Sequence, residues 1–365
     1  MRADVVIIGG GIAGLSAAAY LADRADVVLF EAEPTLGYHA TGRSAAMYTE
    51  CYGSPTIRDL ARASKAYLVD RGLGDDKPVL FVAPRDDPDA IAATFGEFRP
   101  FVPTLRTVSA DEAKDVCDAL EVDAIAGGVL EPHAMELDVH GIESSYRTTA
   151  RAAGAAILTD HRVRSLTSTD HGWVVESADT ETHARVVIDA AGAWGDHVAT
   201  MAGVAPLGLS PLKRSAFVWD PHRHAAEWPL VVDTGERWYF RPEGPNLLGS
   251  AASEIPSEPV DARHDEIDVA LGIERINEVT DLDIRSITTA WAGLRTFTPD
   301  RTPAVGFDPS HEGFFWLVGQ GGYGIKTSPA LAALTAGLVL DNAVPATVAD
   351  HGITQRDLDP ARFRS

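Results

Sequence analysis

The sequence has 365 residues, and 53 acidic against 31 basic side chains give it a net charge of −22. This balance argues against a nucleic-acid partner and against docking on an anionic membrane, because both rely on lysine and arginine clusters. The length favours two joined domains, and a hydrophobic content of 45% is ordinary for a globular protein.

The two cysteines and the histidine pattern predict no metal site. Cys51 and Cys117 form no CxxC motif, and the pair His222 and His224 lacks further ligand residues nearby. The first 22 residues are rich in apolar side chains, but glycines interrupt them and only Arg2 precedes them as a basic residue. We therefore expect a cytoplasmic protein without a transmembrane segment.

The chain opens with a strand, a glycine-rich turn, a helix and a second strand. Residues 4–8 are a run of β-branched side chains, as in a strand buried on both faces. The turn GGGIAG covers residues 9–14, an alanine-rich helical stretch covers 15–23, and the second strand covers 27–30. This order predicts a dinucleotide-binding unit.

Each special residue of this unit has a physical role. Gly9 allows the tight turn, Gly11 lets the backbone approach a pyrophosphate, and Gly14 lets the helix pack closely on the sheet. The helix start offers free N–H groups to the phosphates. Glu31, at the end of the second strand, suits ribose hydroxyls and repels a 2′-phosphate, which disfavours NADP.

Three further segments favour FAD over NAD. Residues 34–48 are irregular, small and polar, suited to passing a flat ring system, and residues 184–194 read as a strand that ends in small side chains. A second strand, glycine turn and helix cover residues 314–319, 320–326 and 327–341. Reduction places negative charge at the N1/C2=O edge of a flavin, and a second helix N-terminus stabilises it.

The periodicity of the remaining chain completes an α/β fold, α+β overall. We predict helices over residues 55–71, 110–120, 138–153 and 265–279, and strands over 79–83, near 163 and 174, and over 214–219, 230–232, 238–241 and 246–249. A Rossmann-like FAD-binding domain of residues 1–75, 138–205 and 296–365 is expected to interleave with a substrate domain of residues 76–137 and 206–295 on a mostly antiparallel sheet.

Four segments carry a family resemblance that spans nearly the whole chain. They are GYHATGRSAAMYT at 37–49, PLGLSPLKRSAFVW at 206–219, WAGLRTFTPD at 291–300 and GQGGYGIKTS at 319–328. They resemble the D-amino-acid oxidase superfamily of FAD enzymes, which includes glycine oxidase and sarcosine oxidase, and within it the bacterial D-arginine dehydrogenase type. Sarcosine oxidases attach their flavin to a C-terminal cysteine; none lies beyond Cys117 here, so we expect non-covalent FAD.

The motifs and the resemblance together give a set of expected FAD-binding residues. The set is Gly9, Gly11, Ile12, Ala13, Gly14, Glu31, Ala32, Thr41, Gly42, Arg43, Ser44, Ala45, Ala46, Val163, Ala191, Gly192, Trp194, Arg295, Gly322, Tyr323, Gly324, Ile325, Lys326 and Thr327. For Lys326, we favour a position near the flavin over one in solvent.

An amino-acid substrate brings a carboxylate, which requires a fixed cation. Arginine is a planar, bidentate and permanently charged partner, so we expect Arg295 first and Arg214 second, with phenol donors from Tyr52 and Tyr239. The resemblance puts all four residues in matching motifs. It implies hydride transfer from the substrate Cα to flavin N5, giving an imine that hydrolyses to a 2-oxo acid and ammonia. Oxygen and a quinone both stay open as electron acceptor.

The substrate side chain is where this sequence departs from the resemblance. D-arginine dehydrogenases place a carboxylate where Val79 stands and a histidine where Met47 stands. Apolar residues at these positions predict a D-amino acid with a small or apolar side chain. Asp75 and Asp76 lie just upstream and could compensate.

Three alternatives stay open at this stage. The first is oxidation of glycine or an N-methylated amine such as sarcosine. The second is a 2-hydroxy-acid dehydrogenase of the same fold, whose flavin-proximal motif carries asparagine where this chain has Ser44 after Arg43. The third is a flavin-bearing subunit without turnover, for which convergence of Arg214, Arg295, Tyr52 and Tyr239 would be unnecessary.

Overall fold

The computed structural model describes residues 1–364. Its strands are β1 (Arg2–Ile8), β2 (Val27–Phe30), β3 (Met47–Tyr48), β4 (Gly74–Asp76), β5 (Val79–Pro84), β6 (Arg106–Val108), β7 (Ile125–Glu131), β8 (Met135–Leu137), β9 (Ala156–Leu158), β10 (Val163–Thr169), β11 (Gly172–Ser177), β12 (Thr180–Asp189), β13 (Ser210–Trp219), β14 (Leu230–Asp233), β15 (Tyr239–Glu243), β16 (Asn246–Ser250), β17 (Ile255–Pro256), β18 (Thr289–Phe297), β19 (Ala304–Phe307) and β20 (Phe314–Val318).

The helices alternate with these strands. They are α1 (Ile12–Leu21), α2 (Pro55–Asp70), α3 (Asp89–Phe98), α4 (Ala110–Val116), α5 (Val139–Ala152), α6 (Gly195–Met201), α7 (Glu266–Asn277), α8 (Gly324–Ala336), α9 (Ala346–Ala349) and α10 (Gln355–Leu358). Short turns of 3₁₀ helix cover Gly192–Trp194 and Pro360–Phe363, and Gly337–Asp341 extends α8 as a π-helical turn.

The first sheet has eight strands and a parallel centre. Strands β12, β1, β2 and β9 lie side by side in parallel, and β20 joins β12 in parallel. The hairpin β10–β11 and strand β19 add antiparallel edges. Helices α1, α2, α5 and α8 cover one face, and α6 packs against the other, so the central strands are buried on both faces.

The second sheet has nine strands in the order β17-β13-β16-β15-β14-β5-β7-β6, with β18 also paired to β13. All of its pairs are antiparallel except β14 with β5. Helices α4 and α7 pack on one face. The opposite face packs in part against α3, and the rest of it forms the wall of a cavity.

The expected mixed α/β architecture, with one mostly parallel and one mostly antiparallel sheet, is confirmed. Every strand of the eight-stranded sheet lies within residues 1–75, 138–205 or 296–364, which are the ranges predicted for the FAD-binding domain. The domain boundaries themselves stay a prediction. Across residues 1–364, no helix combines the length and the apolar character that crossing a membrane requires.

Several element boundaries differ from the predicted ones. Helices α1 and α8 each begin three residues earlier than predicted, because the residues after each glycine turn already have helical geometry. Helix α4 ends at Val116 rather than at residue 120. Helix α3 was not predicted; its N-cap Pro88 supplies no side-chain cap, and only Phe98 of the helix is buried.

The hairpin β19–β20 carries the chain to the second glycine turn, and a buried carboxylate fixes its outer end. Asp308 accepts hydrogen bonds from the Trp316 indole at 3.1 Å and the Arg364 guanidinium at 2.7 Å. Burial would raise the pKa of this carboxyl, but these donors, with Ser310 and His311, lower it to about 2. Asp308 thereby ties the C-terminal segment to the sheet.

We expect Asp308→Asn to reduce the free energy of unfolding by about 2 kcal/mol at pH 7. The folded-state pKa lies below the value of about 3.9 for an unfolded aspartate, so the contribution is complete above pH 4 and is lost as pH falls towards 2. Urea unfolding at pH 7 and pH 3 measures the difference. A deficit equal at both pH values would contradict the electrostatic explanation, and Asp350→Asn, at an exposed carboxylate, is the matched control.

Candidate active site

The first cavity has a volume of about 430 Å³ and lies at the carboxyl ends of β1, β2 and β12. Gly9 leaves β1 with a φ of +110°, and a Cβ added there would stand 2.5 Å from the Ala190 carbonyl oxygen. A Cβ on Gly14 would stand 2.0 Å from the Gly9 carbonyl oxygen. Only glycine fits either position, and the turn can therefore bring α1 close to the sheet.

Two helices begin at this cavity. Helix α1 follows Gly11, which has no side-chain cap, although the Ile12 N–H is taken by the Thr41 hydroxyl at 2.9 Å. Helix α8 also begins without a side-chain cap, and its first residues Gly324 and Ile325 line the cavity. Uncapped N–H groups and the positive ends of two helix dipoles therefore meet one elongated space.

Glu31 lines the far end of this cavity and is held in place by backbone donors. Its carboxylate accepts from the Gly10 N–H at 2.6 Å and from the Glu33 N–H at 2.8 Å. These two bonds fix both oxygens at the end of β2 and leave their remaining lone pairs for a ligand. A pair of vicinal hydroxyls is the ligand group that suits such a carboxylate.

The segment that follows β17 runs along this cavity, and its residues Val260 and Ala262 line it. We call residues 257–264 the crossing segment. Its Asp261 accepts from the Arg43 guanidinium at 2.5 Å, and Arg43 also donates to the Ala262 and Ala292 carbonyl oxygens at 3.0 and 3.1 Å. The Arg43 bond lowers the pKa of Asp261. The guanidinium of Arg43 thus holds the crossing segment in place through its bonds to Asp261 and Ala262.

The second cavity, also of about 430 Å³, adjoins the first. Ser44, Arg295, Gly322 and Ile325 line both, so the two spaces are continuous. Its wall is one face of the nine-stranded sheet, because residues directly opposite one another in paired strands share a face. That face carries Arg214, Arg295, Tyr239, Val79, Phe81, Leu230 and Val232.

The register of β13 with β18 brings two arginines together. Arg214 stands opposite Gly293, and Arg295 stands opposite Leu212. Gly293 contributes no side chain, and a Cβ there would be only 3.7 Å from Nη1 of Arg295. The glycine therefore leaves room for both guanidinium groups on one face.

The two arginines differ in their partners. Arg214 donates to the Ser253 carbonyl oxygen at 3.1 Å and lies 3.5 Å from Glu254, which also pairs with Arg301 at 2.7 Å. The guanidinium of Arg295 has no hydrogen-bond partner and no carboxylate within 4.0 Å among residues 1–364. Burial, and then the charge of Arg214, lower the pKa of Arg295 to about 10, so it stays charged at neutral pH.

All four expected substrate-binding residues line the second cavity: Arg214, Arg295, Tyr52 and Tyr239. Tyr239 is almost fully buried, and the Tyr52 and Tyr239 phenols together raise the pKa of Arg214 against the effect of its burial. Asp75 and Asp76 do not compensate for the missing carboxylate, since they lie exposed in β4, paired with Glu136 and Met135, outside the cavity lining.

The expected FAD-binding residues divide between the two cavities. Seventeen of them line the first: Gly9, Gly11, Ile12, Ala13, Glu31, Ala32, Thr41, Arg43, Ser44, Val163, Ala191, Gly192, Trp194, Arg295, Gly322, Gly324 and Ile325. Ala45, Ala46 and Lys326 line only the second. Gly14, Gly42, Tyr323 and Thr327 line neither, and Gly14 acts through helix packing.

Several residues that line the two cavities were not predicted from the sequence. His39, Arg162 and His161 line the first, and Glu236 and Glu254 the mouth of the second. Polar residues in irregular segments carry no periodic signal, so only the folded structure brings them to the site.

A family model described as FAD dependent oxidoreductase matches residues 4–338. The chain belongs to this family. Its cofactor is FAD, which confirms the expectation drawn from the two glycine turns. The uncapped starts of α1 and α8, the fixed Glu31 carboxylate and the glycine turn together suit an FAD molecule extended along the first cavity.

Relatives of this FAD-dependent oxidoreductase span most of the chain. Glycine oxidase of Geobacillus kaustophilus is 24% identical over 93% of both chains. Sarcosine dehydrogenase of Homo sapiens is 26% identical over 86% of this chain and 37% of its own length. The crystal structure of L-proline dehydrogenase from P. horikoshii aligns with a TM-score of 0.85 and 21% identity over 99% of this chain and 98% of that one. These proteins support the family and the fold, while the finer likeness to D-arginine dehydrogenase stays a prediction.

We expect Asp261→Asn to speed the release of FAD about fivefold, because the crossing segment loses its ionic bond to Arg43, an interaction of about 1 kcal/mol at an exposed site. The rise in flavin fluorescence after dilution of the holoenzyme measures the rate. Glu258→Gln, in the same segment but without an ion pair, is the matched control. Equal release rates for both variants would show that the bond does not hold the segment over the cofactor.

Proposed function

We propose that this enzyme oxidises a D-amino acid with a small or apolar side chain to an imino acid, which hydrolyses to a 2-oxo acid and ammonia. One observation carries the proposal. Arg295 is a charged guanidinium at the junction of the two cavities, and no described protein carboxylate lies within 4.0 Å of it. A buried cation without a partner is unfavourable unless an anion binds there.

The substrate carboxylate is the anion we assign to this position. Glu254 already neutralises Arg214 in part, so Arg295 is the principal partner, and Arg214 is the second. The hydroxyls of Tyr52 and Tyr239 complete a set of donors around one planar group. Four donors on a sheet face and an adjoining loop fix the orientation of the Cα as well as its position.

FAD held by the lining of the first cavity would supply the hydride acceptor, and the residues of the protein contribute the orientation of the substrate. Because Arg295 lines both cavities, a carboxylate bound to it stands at the boundary between the substrate space and the cofactor space. Gly322, which also lines both, places no side chain at that boundary. The buried walls keep water away from the reacting carbon.

The wall beyond the arginines supports a substrate with an apolar side chain. Val79, Phe81, Leu230 and Val232 occupy neighbouring positions on the same sheet face, and Met47 approaches from the adjoining loop. These side chains offer no hydrogen-bond partner, and burying a cationic group against them would be costly. The D configuration rests on the resemblance of the four sequence motifs.

A second candidate is a glycine- or sarcosine-type amine oxidation. The names of two relatives, glycine oxidase and sarcosine dehydrogenase, favour it. The same carboxylate site would serve such a substrate. The apolar wall argues for a larger substrate side chain, because glycine has no side chain that could contact Val79 and Phe81.

We expect apolar D-amino acids such as D-leucine to bleach the flavin absorbance near 450 nm in anaerobic mixing. D-arginine, L-amino acids, glycine, sarcosine and 2-hydroxy acids should do so far more weakly. Arg295→Met should weaken substrate binding about 100-fold, or about 2.7 kcal/mol. Arg301→Met, at a cation already paired with Glu254, should cost less than tenfold. Bleaching by glycine or sarcosine alone would favour the second candidate, and no bleaching by any amine would reject both.

We expect Val79→Glu to raise the preference for D-arginine over D-leucine at least tenfold, because it places a carboxylate in the apolar wall. The measurement is the ratio of kcat/KM for the two substrates. The matched control is Val79→Gln, because glutamine is equal in size to glutamate but uncharged. Val218→Glu would not serve, because Val218 is buried in the same hydrophobic cluster as Val79. An equal change of preference in Val79→Gln would assign the effect to polarity rather than charge.

A further inference from the structure

The second cavity contains a buried lysine that carboxylate binding does not require. Lys326 is the third residue of α8, is only 3% exposed and lines the cavity. Its Nζ donates to the Thr49 carbonyl oxygen at 2.7 Å and to the Tyr52 carbonyl oxygen at 3.0 Å. Among residues 1–364, no carboxylate lies within 4.0 Å of this nitrogen.

Two carbonyl partners are enough to satisfy both N–H groups of a neutral amine at this position. A neutral Nζ has two N–H groups, which both carbonyl oxygens satisfy, and one lone pair. A protonated Nζ has a third N–H, for which no described residue supplies an acceptor. When the nitrogen loses a proton it can therefore keep both hydrogen bonds, and the neutral form has a lone pair available.

Charged and titratable groups surround Lys326 from every neighbouring element. Burial lowers the pKa of Lys326 to about 8, and the charge of Arg58 from α2 lowers it further. Glu131 from β7 and Cys51 and Glu50 from the adjoining loop act in the opposite direction and raise it. The rings of Tyr52 and Tyr323 stand 5.5 and 5.6 Å from Nζ. The start of α8 is also the positive end of a helix dipole, which disfavours the ammonium.

A chain of polar groups leads from this lysine towards the surface. The Thr49 hydroxyl donates to Glu131 at 2.5 Å, and Glu131 also accepts from the Glu50 N–H at 3.0 Å. Burial raises the pKa of the Glu131 carboxyl. The Glu50 carboxylate in turn accepts from Lys65 at 2.9 Å, and the Lys65 side chain is 41% exposed.

We propose that neutral Lys326 accepts one proton from the ammonium group of the bound substrate. This inference rests on the proposed function. The N–H bond of the substrate breaks, its electron pair stays on the substrate nitrogen, and a new N–H bond forms at Nζ. The neutral amine then supports loss of a hydride from Cα to the FAD of the family, which leaves an iminium ion. The proton on Lys326 returns to solvent between turnovers.

The proton transfer explains why a lysine stands here. At neutral pH, a free amino acid is an ammonium ion, whose nitrogen has no lone pair to stabilise the developing iminium. Arg214 and Arg295 cannot accept a proton, and the phenols of Tyr52 and Tyr239 are donors to the carboxylate. Lys326 is the one amine in the cavity lining; of the two carboxylates there, Glu236 and Glu254, the second is paired with Arg214 and Arg301.

The decisive variant is Lys326→Gln. The glutamine amide keeps two N–H groups for the Thr49 and Tyr52 carbonyl oxygens but cannot accept a proton. In the unsubstituted holoenzyme, kcat/KM for anaerobic flavin reduction by D-leucine should rise with pH through about 8. In Lys326→Gln, this rise should move to the higher pKa of the substrate ammonium, with a loss of at least tenfold at pH 7.5.

Two further measurements distinguish a role of Lys326 as a proton acceptor from a purely structural role. Glu131→Gln removes a negative charge that stabilises the ammonium, so the rise should shift about one unit to lower pH. Binding of 2-aminoisobutyrate, which has no Cα hydrogen and cannot be oxidised, should tighten with pH through about 8 in the unsubstituted holoenzyme and not in Lys326→Gln. Perturbation of the flavin spectrum measures this binding without turnover.

The outcomes distinguish this inference from the proposed function. If no amine reduces the unsubstituted holoenzyme, the proposed function fails and the inference fails with it. If D-leucine reduces it and Lys326→Gln has the same pH dependence, the inference alone is overturned, and Lys326 only ties the loop to α8. An unchanged flavin content in Lys326→Gln shows that the variant folds.

Discussion

The antiparallel pairing of β13 with β18 is the constraint on which the site depends. It places Arg214 opposite Gly293 and Arg295 opposite Leu212, so the two guanidinium groups share one face of the sheet. A slip of one residue in this register would turn Arg295 towards the opposite face, which α4 and α7 cover. The nine residue pairs of these strands therefore fix where the two guanidinium groups stand.

Two sheets with different roles meet at this point. The parallel sheet delivers helix N-termini and the glycine turn to the cofactor, which is how open α/β sheets bind ligands at their carboxyl ends. The antiparallel sheet offers the part of one face that α3 leaves free, and its alternating side chains build the wall of the second cavity. Residues that line both spaces, Arg295 and Gly322, make one continuous site from two surfaces.

The sequence predicted what depends on local order. The strand, glycine turn and helix around Gly9 lie within one stretch, and periodicity and glycine spacing suffice to identify them. The convergence of Arg214 with Arg295 came from the family resemblance, because strand register between distant segments leaves no local signal. The buried environment of Lys326 depends on Glu131, a carboxylate in an otherwise apolar strand, and no pattern assigns such a residue to an active site.

The order of the strands has a consequence for synthesis of the protein. Strand β1 pairs with β12, about 180 residues later, and β12 pairs with β20, a further 127 residues along the chain, from Val187 to Phe314. The second helix start at the cofactor follows β20. A chain leaving the ribosome therefore has no complete flavin site until the residues up to Gly324 have emerged. The early strands must wait exposed, which makes chaperone binding during translation an expected part of how this protein matures.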